Sequence, residues 1–284
     1  MLLVSFAFSC KYNKLLKSTD FDLKYRMAVE YYQKKEYNKA FPLFEELLTL
    51  YKGTGKAEDI YYYYAYTNYH MGDYILASYH FNNFAKTFPS STRAQECSFM
   101  NAYCYFLDSP EASLDPTNTF KAIDELQLFI NKYPQSDSLD RCNILIDDLR
   151  GKLEEKSYKA AMLYFKTEDY RAAIVGFKNT LKDFPDIASR EQLNFMIVKA
   201  NYLLAINSIE SKKEERLKST SEAYIKFIDA YPKSQYLKDA EEIYTSTLKQ
   251  LKKKLIHNQY KQQWKLKNQK HPLQPLPATL HSLT

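Results

Sequence analysis

Tyrosine is the residue whose spacing in this chain is most suggestive of chemistry. The stretch DIYYYYAYTNYHMGD, residues 59–73, sets six tyrosines into the nine positions from Tyr61 to Tyr69. The whole chain of 284 residues carries 26 tyrosines and 17 phenylalanines against one tryptophan. A phenol offers a large rigid contact area and one hydrogen-bonding tip, so a row of them suits recognition of an extended, partly apolar chain. The same row is expensive as plain core, because each buried hydroxyl needs a partner. Other reactive residue types point to no reaction. His70, His80, His257, His271 and His281 have no ligand or triad neighbours at useful spacing, and GxGxxG, Walker, HExxH and GxSxG patterns are missing. Asp147-Asp148 and Glu154-Glu155 suit a solvated helix face better than a pair of catalytic acids. We read the chain as no enzyme, with no cofactor and no metal.

Cysteine adds one modification site. Cys97, Cys104 and Cys142 are expected to be small core hydrophobes. Cys97 and Cys104 lie on one helix, about 10 Å apart at 1.5 Å per residue, too far to pair. Cys10 follows the apolar MLLVSFAFS and precedes the polar KYNK, with small Ala7 and Ser9 before it. That arrangement resembles a bacterial lipobox, with Ala7 in place of the usual leucine and no basic residue ahead of the apolar run. Lipidation of Cys10 is the expectation, and an ordinary cleaved signal or a frayed terminus the alternative.

Charge is placed unevenly. From Ile243 to Thr284 there is no acid, and Lys249, Lys252, Lys253, Lys254, Lys261, Lys265, Lys267 and Lys270 exceed the whole net charge of +6. The remaining body is close to neutral, which argues against nucleic-acid binding. The basic C-terminal helix, with Ile243, Leu248, Leu251 and Leu255 at its apolar positions, reads as a solvated cap. The functional alternative is contact with an acidic partner face or anionic lipid.

The elements that position the tyrosines are repeats. An aromatic–proline pair recurs as Phe88-Pro89, Tyr133-Pro134, Phe184-Pro185 and Tyr231-Pro232. Twelve residues before the first three prolines stand Ala77, Ala122 and Ala173. YRMAVEYYQKKEYNKAF from Tyr25 aligns without gaps on YKAAMLYFKTEDYRAAI from Tyr158. This is the tetratricopeptide pattern of about 34 residues, two antiparallel helices per repeat. Small residues at its eighth position (Ala28, Ala65, Ala161) and twentieth (Ala40, Ala77, Ala173) let the two helices approach closely. Tyr37, Tyr74 and Tyr170 plug the start of each second helix, and proline stops it. The prediction is an all-α tetratricopeptide-repeat superhelix of about five helix pairs. LDSPEASLDPTNT, residues 107–119, is expected as an insertion between the helices of repeat three, and 208–220 as the matching loop of repeat five.

The irregularities carry a resemblance. FPSSTRAQECSFMNAYCYFLDSPEASLDPTNTFKAIDELQLFINKYPQSD is similar to the second-to-third repeat region of the BamD family, lipoprotein subunits of the outer-membrane β-barrel assembly machine. KLEEKSYKAAMLYFKTEDYRAAIVGFKNTLKDFPD resembles that family's fourth repeat, and NYLLAINS, ERLKST and FIDAYPKS its fifth. The likeness runs from about Cys10 to about Leu251. It implies a lipid-anchored protein on the periplasmic face of the outer membrane. It also implies binding of the barrel-forming BamA-type subunit through the C-terminal repeats, and of unfolded outer-membrane protein precursors through the N-terminal ones. A generic periplasmic tetratricopeptide scaffold or co-chaperone is the alternative. The expected division is a signal peptide at 1–9, a lipid-anchored linker at 10–19, repeats one to three at 20–135, repeats four and five with a capping helix at 136–250, and a basic helix extension with a flexible tail at 251–284.

Repeat register then sorts the tyrosines. In tetratricopeptide repeats, positions 2, 5, 9, 12 and 13 of the first helix line a concave groove. They fall on Asp59, Tyr62, Tyr66, Tyr69 and His70, while Tyr61 and Tyr64 pack inward. The first repeat contributes Asp22, Tyr25, Val29, Tyr32 and Gln33, and the third Phe99, Tyr103 and Phe106. Tyr25, Tyr32, Tyr62, Tyr66, Tyr69, Phe99 and Tyr103 are therefore the candidate client-binding residues. Two readings stay open: these rings meet a client peptide, or they pack against the next repeat.

Overall fold

The computed structural model describes residues 11–270. Cys10, the expected signal segment and the tail from 271 lie outside the described residues. Every regular element among the described residues is a helix. A short helical segment at 11–16 (α1) precedes α2 (Phe21–Gln33), α3 (Tyr37–Leu50), α4 (Ala57–Met71), α5 (Tyr74–Thr87), α6 (Ala94–Asp108) and α7 (Thr117–Lys132). Then follow α8 (Leu139–Lys166), α9 (Tyr170–Asp183), α10 (Arg190–Ile206), α11 (Glu210–Ala230) and α12 (Leu237–Lys270).

The fold is the helix-pair repeat that the sequence predicts. Ala28, Ala40, Ala65, Ala77 and Ala173 are fully buried and Ala161 nearly so, which is where close helix approach was expected. Phe88, Tyr133, Phe184 and Tyr231 each cap the second helix of a pair, donating the backbone N–H to the carbonyl four residues earlier. The proline after each then has no N–H with which to continue the ladder. A serine two residues past three of these prolines starts the next repeat. Ser91, Ser136 and Ser234 accept from the backbone N–H two residues ahead, and each also bonds a first-turn side chain of another helix: Glu58, Gln95 and Glu191. Between the helices of repeats one, two and four, one turn position is left-handed: Lys35, Gly72 and Glu168, at φ 60°, 85° and 63°. Glycine is the residue suited to that conformation, and only repeat two has it.

Packing divides the chain at Glu155/Lys156, inside α8. The repeat alignment draws its line at 135/136, where a repeat ends rather than where packing divides. The unit reaching to Glu155 holds two clusters. One joins Ala28, Leu43, Phe44, Leu47, Ile60 and Tyr64; the other joins Phe81, Phe84, Cys97, Cys104, Leu126, Phe129, Cys142 and Leu149. The three described cysteines are free and buried, as small hydrophobes should be. Lys24, with only 2% of its surface exposed, reaches Glu46 at 2.6 Å and the Leu16 carbonyl at 2.9 Å. The unit from Lys156 onward packs Phe177, Leu193, Val198, Phe227 and Ala240.

One expectation is overturned. Residues 210–220 are not a loop but the first half of the 21-residue α11. Their Glu and Lys content has high helix propensity, and Lys213–Glu210, Lys212–Glu215 and Lys218–Glu214 pair at three- and four-residue spacing. The insertion of repeat three does leave the helix at Ser109. It is held by Ser109–Thr119 at 2.9 Å and by Lys152, which donates to the Ser109 carbonyl at 3.0 Å.

Candidate functional site

In the unit reaching to Glu155, the helices α2, α4 and α6 each carry an acid at the second repeat position: Asp22, Asp59 and Glu96. A basic residue three positions before an acid bonds the acid of the preceding repeat. Lys56 reaches Asp22 at 2.6 Å, and Arg93 reaches Asp59 at 2.5 Å. At Glu96 two phenols take the role of the cation. Tyr62 donates to its Oε1 at 3.0 Å, and Tyr66 donates to the same oxygen.

The rings lie along this polar line. The Lys56 ammonium sits 5.6 Å from the Tyr25 ring, whose hydroxyl donates to Asp59 at 3.4 Å. The Arg93 guanidinium lies 4.5 Å over Tyr62, and Tyr62 is 4.8 Å from Tyr66. Tyr66 meets the buried Phe81 edge to face at 4.8 Å and leads on to Tyr69 at 6.2 Å. On α6, Phe99, Tyr103 and Phe106 stack one after another at 5.8 and 5.9 Å. Arg141, in the part of α8 that belongs to this unit, covers Phe99 at 4.9 Å and Tyr103 at 4.7 Å. Tyr32 stands with Tyr37, Tyr63 and His70, all within 5.8 Å.

The candidate rings pack on the core and still reach the surface. Tyr25, Tyr32, Tyr62, Tyr66, Tyr69 and Tyr103 are partly buried, each with an edge in the core and the rest on the face. Phe99 is buried and forms the floor. Tyr64 is buried and Tyr61 packs on Phe88, in keeping with their inward positions. Arg93, Glu96 and Arg141 belong to the face and were not singled out by sequence reasoning. The 37-residue spacing of Asp22, Asp59 and Glu96, repeated by Lys56 and Arg93, was the signal available.

Burial sets the protonation state of the face. Burial, then the charge of Asp59, pushes the Tyr25 hydroxyl up to about 12. Burial, then the charge of Glu96, does the same to Tyr62, and burial with the Glu96 hydrogen bond raises Tyr66. These phenols stay protonated donors near neutral pH. A phenol in the unfolded chain ionises near 10, so the unfolded state releases its protons first as pH rises. The stabilisation is present below about pH 10 and is lost as pH climbs towards about 12. Urea unfolding across that window should show the loss, and Tyr62→Phe should make it shallower.

Residues 19–217 match a family model described as outer membrane lipoprotein, YfiO. The chain belongs to the YfiO family. This YfiO-family chain is 24% identical over 148 residues to the outer membrane protein assembly factor BamD of Caulobacter vibrioides, an alignment covering 52% of the chain. The chain spans about half the length of that curated relative, 48%. Among solved structures it is similar to the TPR2AB domain of yeast Sti1 in an HSP90 complex (TM-score 0.36, 14% identity, 80% of this chain, 98% of that one). It is likewise similar to the P58(IPK) TPR domain (TM-score 0.39, 14% identity, 84% and 68%). Membership of a lipoprotein family places the chain at the outer membrane. No helix among the described residues is long and apolar enough to cross a bilayer.

Proposed function

We propose that this YfiO-family chain is a non-catalytic subunit of the outer-membrane β-barrel assembly machinery. It is anchored by acylation of Cys10 on the periplasmic face. Its N-terminal repeats hold unfolded outer-membrane precursors, and its C-terminal repeats bind the periplasmic domains of the barrel-forming subunit. The observation that carries the client role is the continuous aromatic face from Tyr25 to Tyr103, laced with Arg93, Glu96 and Arg141. Precursor strands alternate apolar and polar residues and carry aromatic girdles, so a ring row with charged groups along it matches their chemistry. The relative's name as an assembly factor supports the same assignment.

The test replaces Tyr62, Tyr66 and Tyr69 with Ala and measures both melting and affinity for a precursor C-terminal peptide. We expect at least about a thirtyfold loss of affinity in protein that is still folded, since truncating an aromatic hot spot costs about 2 kcal/mol or more. Tyr69→Ala alone leaves the Glu96 pair in place and guards against unfolding of the triple variant. Reduced melting with unchanged peptide affinity would mean that the rings only pack.

A further inference from the structure

α12 runs on past the last helix pair. Its first turns belong to the core: Ala240 and Thr247 are fully buried, and Tyr244 stacks on Tyr224 at 4.2 Å. Beyond Thr247, Lys254 still reaches back to the Glu210 backbone carbonyl. On the other side, Leu248, Leu255, Ile256 and Tyr260 stand out at 45%, 58%, 43% and 69% exposed. Lys249, Lys252 and Lys253 are exposed among them. At helical spacing, Leu248, Lys252 and Leu255 form one row at i, i+4 and i+7. Lys249, Lys253, Ile256 and Tyr260 form the neighbouring row at i, i+4, i+7 and i+11.

The exposed side thus mixes large apolar groups with cations, and no acid occurs from Ile243 to the end of the chain. Protein–protein interfaces are depleted in lysine, and their apolar centres in charge, whereas here lysines stand among the large apolar side chains. A row of one sign around apolar side chains is suited to a layer with no register: negative headgroups above acyl chains. Lysine stems can lie along apolar surface while the ammonium groups reach phosphates. Membership of an outer membrane lipoprotein family puts such a layer within reach.

We propose that the side of α12 from Leu248 to Tyr260 is a lipid-contacting surface that rests in the headgroup region of an anionic bilayer. Leu255, Ile256 and Tyr260 enter the interface, and Lys249, Lys252 and Lys253 meet phosphates. This is a second membrane contact, separate from any acyl chain.

The experiment uses the full chain carrying Cys10→Ser, so that no acyl group is present, with vesicles of phosphatidylcholine alone or mixed with phosphatidylglycerol. Co-sedimentation should favour the anionic vesicles and weaken steeply with salt. Replacing Lys249, Lys252 and Lys253 together with Gln should cost on the order of a hundredfold in partitioning. Leu255→Ser with Ile256→Ser should cost on the order of tenfold or more, with melting unchanged because both side chains are exposed. Equal binding of wild type and variants, or equal binding to both vesicle types, overturns the proposal. So does loss of a soluble acidic protein's binding in the variants while vesicle binding is unaffected. No precursor or barrel subunit is present, so failure here leaves the function proposed above untouched.

Discussion

Glu46→Ala is expected to destabilise the N-terminal repeats by about 2–3 kcal/mol, measured by urea unfolding followed by circular dichroism. The cost comes from Lys24 rather than from Glu46. Lys24 lies on α2 with its ammonium taken out of water, and Glu46 at 2.6 Å is its charged partner. Removing the carboxylate leaves the Leu16 carbonyl at 2.9 Å and the Phe21 ring at 5.7 Å, neither of which neutralises a cation. Breaking a fully buried pair costs about 3–5 kcal/mol, and the 40% exposure of Glu46 moves this pair to the bottom of that range or just below it. Lys24→Met in the same background keeps a similar volume without the charge. The double variant should therefore recover most of the loss. A change within about 0.5 kcal/mol for Glu46→Ala would mean that water reaches the ammonium.

Gly176→Ala should also destabilise, against the ordinary preference for alanine in a helix. A Cβ at Gly176 on α9 would lie 2.9 Å from the Ala161 Cβ and 3.2 Å from its Cα. Both atoms are fixed to a helix, so the relief must come from moving one helix backbone. Helix propensity alone would favour alanine by about 1 kcal/mol, while forcing an extra carbon into a packed contact costs about 1–3 kcal/mol. The clash is between two Cβ positions fixed to their helix backbones and should win, for a net loss of up to about 2 kcal/mol. Ala161→Gly added to Gly176→Ala reopens the contact and should recover part of the stability, so the two substitutions are coupled. Stabilisation by Gly176→Ala alone would show that the crossing has slack.

The fold was legible because its repeat is written in local chemistry. Small residues mark the helix crossing at Ala40, Ala77 and Ala173, and an aromatic–proline pair marks the stop of α5, α7, α9 and α11. Tyr62, Tyr66 and Tyr69 could be placed on one face because Ala65, Gly72 and Ala77 fix the register. Their partners were harder to see. Glu96, Arg93 and Arg141 act across repeats, and pairing over 30 or more residues leaves no local trace. α8 also runs as one helix of 28 residues from repeat three into repeat four, since no proline interrupts it. The 208–220 segment looked like a loop by alignment, yet Glu–Lys pairing makes it helix from Glu210 onward.

Site-specific photo-crosslinking to a precursor peptide tests the aromatic face most directly. A benzophenone side chain is placed in turn at Tyr62, at Tyr66 and at Tyr79, which sits on α5 and is 59% exposed. Tyr79 is the more accessible ring, so indiscriminate stickiness would favour it. A client-binding face predicts adducts at positions 62 and 66 and little at 79. Adducts at 79 alone, or at all three equally, would contradict it.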